Sequence, residues 1–205
     1  MRALLLVDIQ NDFVTGGALA VPSGHEICDI ANRLMPRYPL VAATQDWHPA
    51  NHRSFASQHP GRRVGEVITW AGLTQTLWPD HCVQHTAGAQ LCPTLNRAGI
   101  HHVALKGQDA DLDSYSGFYD NGRRRATGLA AWLRAQGATA LDVMGLATDY
   151  CVKFTALDAV REGFSTRVLL LGCRGVELNA GDTERAIESM RAVGVAIQET
   201  ELINA

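Results

Sequence analysis

The chain has no pair of cysteines in CxxC spacing, and its cysteines are odd in number, five in 205 residues. Irregular spacing and an odd count fit reduced thiols in a cytoplasm. Long hydrophobic runs are also missing. No apolar stretch approaches the roughly 20 residues needed to cross a bilayer, so no membrane partner is expected. The N-terminal MRALLLVDIQNDF resembles a signal sequence only superficially. Its apolar run is short and Asp8 interrupts it, so it reads as a strand. An excess of positive charge is lacking too. Lysines and arginines number 18 against 21 acidic residues, for a formal net charge of -3, and no basic stripe stands out, which argues against nucleic-acid binding. Arg123-Arg124-Arg125 is the only basic run and is expected to open a solvated helix. There is no internal repeat, low-complexity tract or interdomain linker. The expectation is therefore one domain over residues 1–205; a homo-oligomer is neither required nor excluded.

What is present is an alternating pattern. With 46% hydrophobic and 19% charged residues the composition is that of an ordinary globular protein. Six segments read as strands, near 3–8, 39–46, 101–106, 140–145, 165–172 and 193–198. Several are nearly continuous apolar runs, as strands buried on both faces require. Residues 24–35, 123–136, 149–162 and 181–192 show apolar spacings of three and four and read as helices, the last capped by Asp182 or Thr183. Strands alternating with helices imply an α/β fold, a parallel sheet covered on both faces. Residues 47–88 break the rhythm with three of the four tryptophans and many prolines, glycines and histidines. A connection that long is usually functional, here a lid or pocket wall.

In an open parallel sheet, ligands bind beyond the carboxyl ends of the strands. The first strand ends at Asp8, the second at Asp46-Trp47-His48, the third at Lys106, and the fourth just before Ala147-Thr148-Asp149-Tyr150-Cys151. An acid, a metal-binding pair, a lysine and a thiol thus collect at one edge. Thr148 or Asp149 is expected to cap the next helix, leaving Cys151 in its first turn, where free N–H groups and the helix dipole favour a thiolate and can receive an oxyanion. A lone buried cysteine usually packs as a small hydrophobe, and Cys28, Cys82, Cys92 and Cys173 read that way. The convergence of Asp8 and Lys106 makes Cys151 a candidate nucleophile instead. Asp8 would be its general base, and Lys106 would lower the thiol pKa and hold Asp8 in place.

In an extended segment residues i and i+2 point to one side, so Asp46 and His48 can grip one metal, with His81 of WPDHC as a third ligand. Such a set suits zinc, iron or manganese with positions left open. His52 stands as a fourth ligand or behind one. His25, His59, His101 and His102 read as ordinary hydrogen-bonded histidines, with His85 intermediate.

Together VDIQNDF, QDWHPANH, WPDHCVQ, DSYSGFYDNG and MGLATDYCVKFTALDA resemble the nicotinamidase family within the isochorismatase-like hydrolases, over about residues 3–176. The resemblance implies a three-layer α/β/α fold with a six-stranded parallel sheet in the order 3-2-1-4-5-6. It implies a catalytic triad of Asp8, Lys106 and Cys151, metal ligands Asp46, His48 and His81 with His52 in some members only, and a cis peptide at Leu146–Ala147. Amides of Ala147 and Cys151 would form the oxyanion hole, and Phe13, Trp78, Tyr115 and Leu146 would contact substrate. Tyr150 stands where some relatives carry histidine. The activity implied is metal-dependent hydrolysis of nicotinamide to nicotinate and ammonia, with pyrazinamide as a further substrate, in NAD salvage; the cofactor would be Zn2+, with Fe2+ or Mn2+ as alternatives. A sister hydrolase acting on another amide or a vinyl ether, or a non-catalytic binding protein on the same fold, is the competing expectation.

Overall fold

The structure is a computed structural model and describes residues 1–200. Six strands form one parallel sheet: β1 (Arg2–Val7), β2 (Val41–Asp46), β5 (His102–Lys106), β6 (Ala140–Leu146), β7 (Ser165–Arg174) and β8 (Ala196–Gln198). Two more, β3 (Val67–Trp70) and β4 (Leu73–Thr76), make a separate antiparallel hairpin. The sheet order is β5-β2-β1-β6-β7-β8. The expected order numbered six strands only; the hairpin, which the sequence pattern did not show, adds two labels in chain order and stays outside the sheet. Helices α1 (Ile27–Leu34), α2 (Leu129–Ala135), α3 (Lys153–Arg161) and α4 (Asp182–Ala192) flank the sheet in a three-layer α/β/α arrangement. Ala3 to Val7 are wholly buried, as a central strand covered on both faces must be. Each such Leu or Val contributes about 1.5–3 kcal/mol by leaving water.

Helix starts differ from expectation where side chains found tertiary partners. The segment 123–136 is helical only over α2. Arg123 has a left-handed φ of 53°, and the amides of Arg124 and Arg125 donate to the Asp120 carboxylate, so the basic run turns instead of coiling. Neither Asp182 nor Thr183 caps α4. Its N-cap is Gly181, and the Glu177 carboxylate accepts the amides of Gly181 and Thr183, while Asp182 accepts that of Asn179. Neither Thr148 nor Asp149 caps the segment before α3: the N-cap is Ala147, without a side-chain bond, and residues Thr148–Val152 wind as a π-turn. Asp149 instead accepts the amides of Val176 and Glu177, fastening the chain after β7.

Two close approaches shape the strand ends that carry the site. Gly145 has φ 136°, and a Cβ there would meet the Val7 carbonyl oxygen at 2.0 Å; the β6–β7 register shifts between Val143 and Gly145. Gly107, just past β5, has φ +65°, and its Cβ would meet His48 Cε1 at 2.3 Å. The long connection after β2 is pinned by backbone bonds from Trp78 to Ser54 and from Ala56 to Trp78, with Phe55 and Trp78 buried. Among the described residues no helix is long and apolar enough to cross a membrane.

Candidate active site

Four strand ends converge as the sequence predicts. Asp8 follows β1 in a left-handed conformation, φ 49°, which bends the chain and turns its carboxylate toward β2 and β5. Thr44 of β2 donates to its Oδ1 at 2.6 Å. Lys106 ends β5 with its side chain wholly enclosed. Its Nζ lies 2.9 Å from Asp8 Oδ2, 2.5 Å from Asp46 Oδ1, 2.8 Å from the Ser114 carbonyl and 3.4 Å from Cys151 Sγ. One ammonium therefore ties the candidate triad to the candidate metal ligand, a link the sequence reading lacked. Cys151 sits in the π-turn after β6, a rare geometry frequent at functional sites. The Leu146–Ala147 peptide is cis.

Burial sets the charges here. It would push the Lys106 ammonium down, but Asp46, Asp8 and Cys151 outweigh it, and the pKa stands well above the ordinary lysine value. Burial raises the Asp8 carboxyl against the opposing pull of Lys106. It also raises the Cys151 thiol, Lys106 opposing and the two aspartates reinforcing. The expected pKa lowering at Cys151 is thus not what the pocket produces at rest. Desolvation exceeds the help from Lys106, and the resting cysteine is a thiol whose proton must be taken as it attacks.

Beside this group lies a cup of metal-binding atoms. Ligand atoms of Asp46, His48 and His81 all lie within 4.8 Å of one another. Asp46 Oδ2 is 3.7 Å from His48 Nε2 and 3.9 Å from His81 Nε2, room for an ion that takes ligands at about 2.0–2.2 Å. Gln10 fixes the Asp46 backbone by a pair of 2.8 Å bonds. The ring orientations decide which nitrogens are free. His48 Nδ1 donates to the Gly107 carbonyl and His81 Nδ1 to the Pro79 carbonyl, both at 2.8 Å; a carbonyl only accepts, so in the neutral ring each Nε2 carries the lone pair, while at His48 burial, which favours that neutral ring, is outweighed by Asp46 and the pKa is raised. His48 Nε2 is buried with no hydrogen-bond partner, as a ligand nitrogen would be. Burial, and then the neighbouring His48, lower His81 to about 4, which keeps it neutral and able to ligate. His52 is different. Its Nδ1 receives the Ser54 amide at 3.3 Å, and burial followed by His48 lowers its pKa to about 4. Ser54 Oγ lies 2.7 Å from the same Nδ1, and the His52 Nε2 is buried with no hydrogen-bond partner. It groups with His48 and Asp113, not with Asp46 and His81.

A pocket opens onto Cys151, Ala147, Asp46 and His81, walled by Phe13, Trp78, Tyr115 and Tyr150. Trp78 Nε1 donates to the Tyr115 hydroxyl at 3.1 Å, and Tyr150 meets both rings edge-on. The Phe13 ring is 5.5 Å from that of His81. Leu146 is buried in the core, and of that pair Ala147 lines the pocket. Leu19, Val176 and Asp113 also line it. None of these three was singled out, although Asp113 lies in the quoted DSYSG stretch. The remaining histidines have local roles: His25 bonds Thr15, His59 bonds Arg53, His101 accepts the Val41 amide, His102 stacks on Trp132 and His85 meets Trp47 edge-on. Among the described residues all five cysteines are free and buried.

Comparison with known proteins agrees with this geometry. The isochorismatase domain family matches residues 2–201. A nicotinamidase of Escherichia coli K12 is 54% identical over 200 residues, covering 96% of this chain and 93% of its own. Among solved structures, an Acinetobacter baumanii nicotinamidase and pyrazinamidase superposes with TM-score 0.94 at 42% identity, over 97% of this chain and 95% of that one. A pyrazinamidase of Pyrococcus horikoshii in complex with zinc superposes with TM-score 0.78 at 35% identity, over 97% and 99%.

Proposed function

The chain belongs to the isochorismatase domain family, and from that membership and the site it carries we propose that it hydrolyses nicotinamide to nicotinate and ammonia, with Asp8, Lys106 and Cys151 as its catalytic residues. It is an amidohydrolase, and 54% identity to a nicotinamidase over nearly the whole chain supports the substrate. Pyrazinamide, a ring carboxamide of the same shape, is a second substrate, and release of nicotinate suits a place in NAD salvage.

The observation that carries the mechanism is Cys151 Sγ at 3.4 Å from Lys106 Nζ, which in turn holds Asp8 at 2.9 Å. Asp8 takes the thiol proton as sulfur adds to the carboxamide carbon. The backbone N–H groups of Ala147 and Cys151 stabilise the oxyanion. Protonated Asp8 returns the proton to the departing nitrogen, ammonia leaves, and a thioester remains. Asp8 then takes one proton from water as its oxygen adds to the thioester carbonyl; the C–S bond breaks, Asp8 returns that proton to sulfur, and the product leaves as nicotinate once the remaining proton passes to solvent. Lys106 stays protonated and keeps the Asp8 oxygen aimed at sulfur.

Asp46, His48 and His81 fit a divalent ion, zinc first among the candidates, because both histidines turn lone pairs inward and the carboxylate completes the set. Held by these residues, the ion would supply a positive centre for a ring nitrogen or water. The aromatic wall of Trp78, Tyr115 and Tyr150 supports stacking on a flat heteroaromatic ring. Residues 1–205 act as one catalytic domain, with the segment 47–88 as pocket wall and source of His81.

Ammonia release from nicotinamide by wild type, chelated protein and Cys151→Ala tests the reading. Release by wild type, a fall on chelation and at least a thousandfold loss in Cys151→Ala are expected. Turnover retained by Cys151→Ala would overturn the covalent route.

A further inference from the structure

Asp113 is a buried carboxylate whose hydrogen-bond donors are both neutral. It is 5% exposed. Its Oδ1 accepts the Ser114 amide at 2.8 Å and its Oδ2 accepts Gln75 Nε2 at 2.9 Å, from the β3–β4 hairpin. Among the described residues no lysine or arginine pairs with it. An enclosed anion without a lysine or arginine beside it is costly. What Asp113 faces is the metal cup: its carboxylate lies within 4.8 Å of ligand atoms of His48 and His52, and it lines the same pocket as Asp46 and His81.

We propose that Asp113 is a positioning residue for the cation, retaining it by charge from the His48–His52 side of the cup. This rests on the reading of Asp46, His48 and His81 as ligands. With Asp8 and Asp46 ionised and Lys106 protonated, a bound dication leaves the enclosed group with one surplus positive charge; Asp113 brings it to neutrality. In a buried site such a balance weighs on whether a dication stays. His52 carries no negative charge in either tautomer, so the charge on that side comes from Asp113.

Equilibrium dialysis of the stripped protein against Zn2+ and Mn2+ tests this without reference to turnover. Wild type, Asp113→Asn, Asp113→Glu and Gln75→Ala are compared. Asp113→Asn, nearly isosteric, is expected to weaken both ions at least about tenfold. Asp113→Glu is expected to recover part of that loss. Gln75→Ala frees the carboxylate from the hairpin but keeps the charge, and is expected to stay within about threefold of wild type. Equal affinity in wild type and Asp113→Asn overturns the proposal, as does a loss in Gln75→Ala as large as in Asp113→Asn, which would make Asp113 a loop tether. Failure of wild type itself to bind either ion would instead remove the three-ligand reading beneath it.

Discussion

At the scale of single residues, Lys106 is the most constrained group in the protein. It is buried, yet three oxygens and a sulfur surround its ammonium. Removing one partner of a buried charge cluster leaves the others uncompensated, at about 3–5 kcal/mol. Lys106→Met, which keeps the stem, is expected to lose stability by that amount in urea unfolding and to abolish turnover. A loss under 1 kcal/mol would show that Asp8 and Asp46 relax without it. The positions of Asp8, Asp46, Lys106 and Cys151 were legible because each follows an apolar run, and a run buried on both faces announces both strand and end. Asp113 was not. It lies in irregular chain, its partner Gln75 is 38 residues away, and nothing in local spacing links them. The two contacts of Ser54 with His52 Nδ1 were equally hidden, since they depend on how the chain turns between the two residues.

At the scale of elements, the strands were legible and the helix starts were not. A strand is marked by its own apolar residues; a cap depends on which competing amide a carboxylate reaches. Asp149 reached Val176 and Glu177 across the fold, and Glu177 served α4 from outside it. The turn after β5 shows how backbone geometry reaches the site. Gly107 combines φ +65° with His48 lying where a Cβ would be, so Gly107→Ala must both strain the chain, about 1–2 kcal/mol, and push aside the imidazole that bonds its carbonyl. Expected are a loss of bound metal by elemental analysis and at least a hundredfold lower kcat/KM. Gly163→Ala is the control: its φ is +84° but nothing lies within 4 Å, so it is expected to cost stability alone. Equal metal content in the two variants would detach Gly107 from the metal cup.

At the scale of the whole molecule, the sheet is the instrument that makes distant residues one site. Asp8, Asp46, Lys106 and Cys151 span 143 positions of sequence from first to last, yet β1, β2, β5 and β6 deliver them side by side. The same arrangement packs carboxylates and an ammonium into a buried space, so the native state carries an electrostatic burden that an unfolded chain does not. A dication bound only by the folded cup must therefore couple to global stability. At about 100 times its Kd, such an ion adds about 2.7 kcal/mol, and for a chain of this size each kcal/mol moves Tm by about 2–4 °C. Thermal unfolding of stripped protein is expected to rise by about 5–10 °C on adding zinc and to fall back with chelator. Cys151→Ala is expected to keep that rise, because the proposed ligands are Asp46, His48 and His81, whereas His81→Ala loses it. A rise that survives in His81→Ala would place the stabilising ion elsewhere on the molecule; its loss there, with the rise intact in Cys151→Ala, would separate the cup that holds the ion from the thiol that does the chemistry, two functions joined through a single lysine.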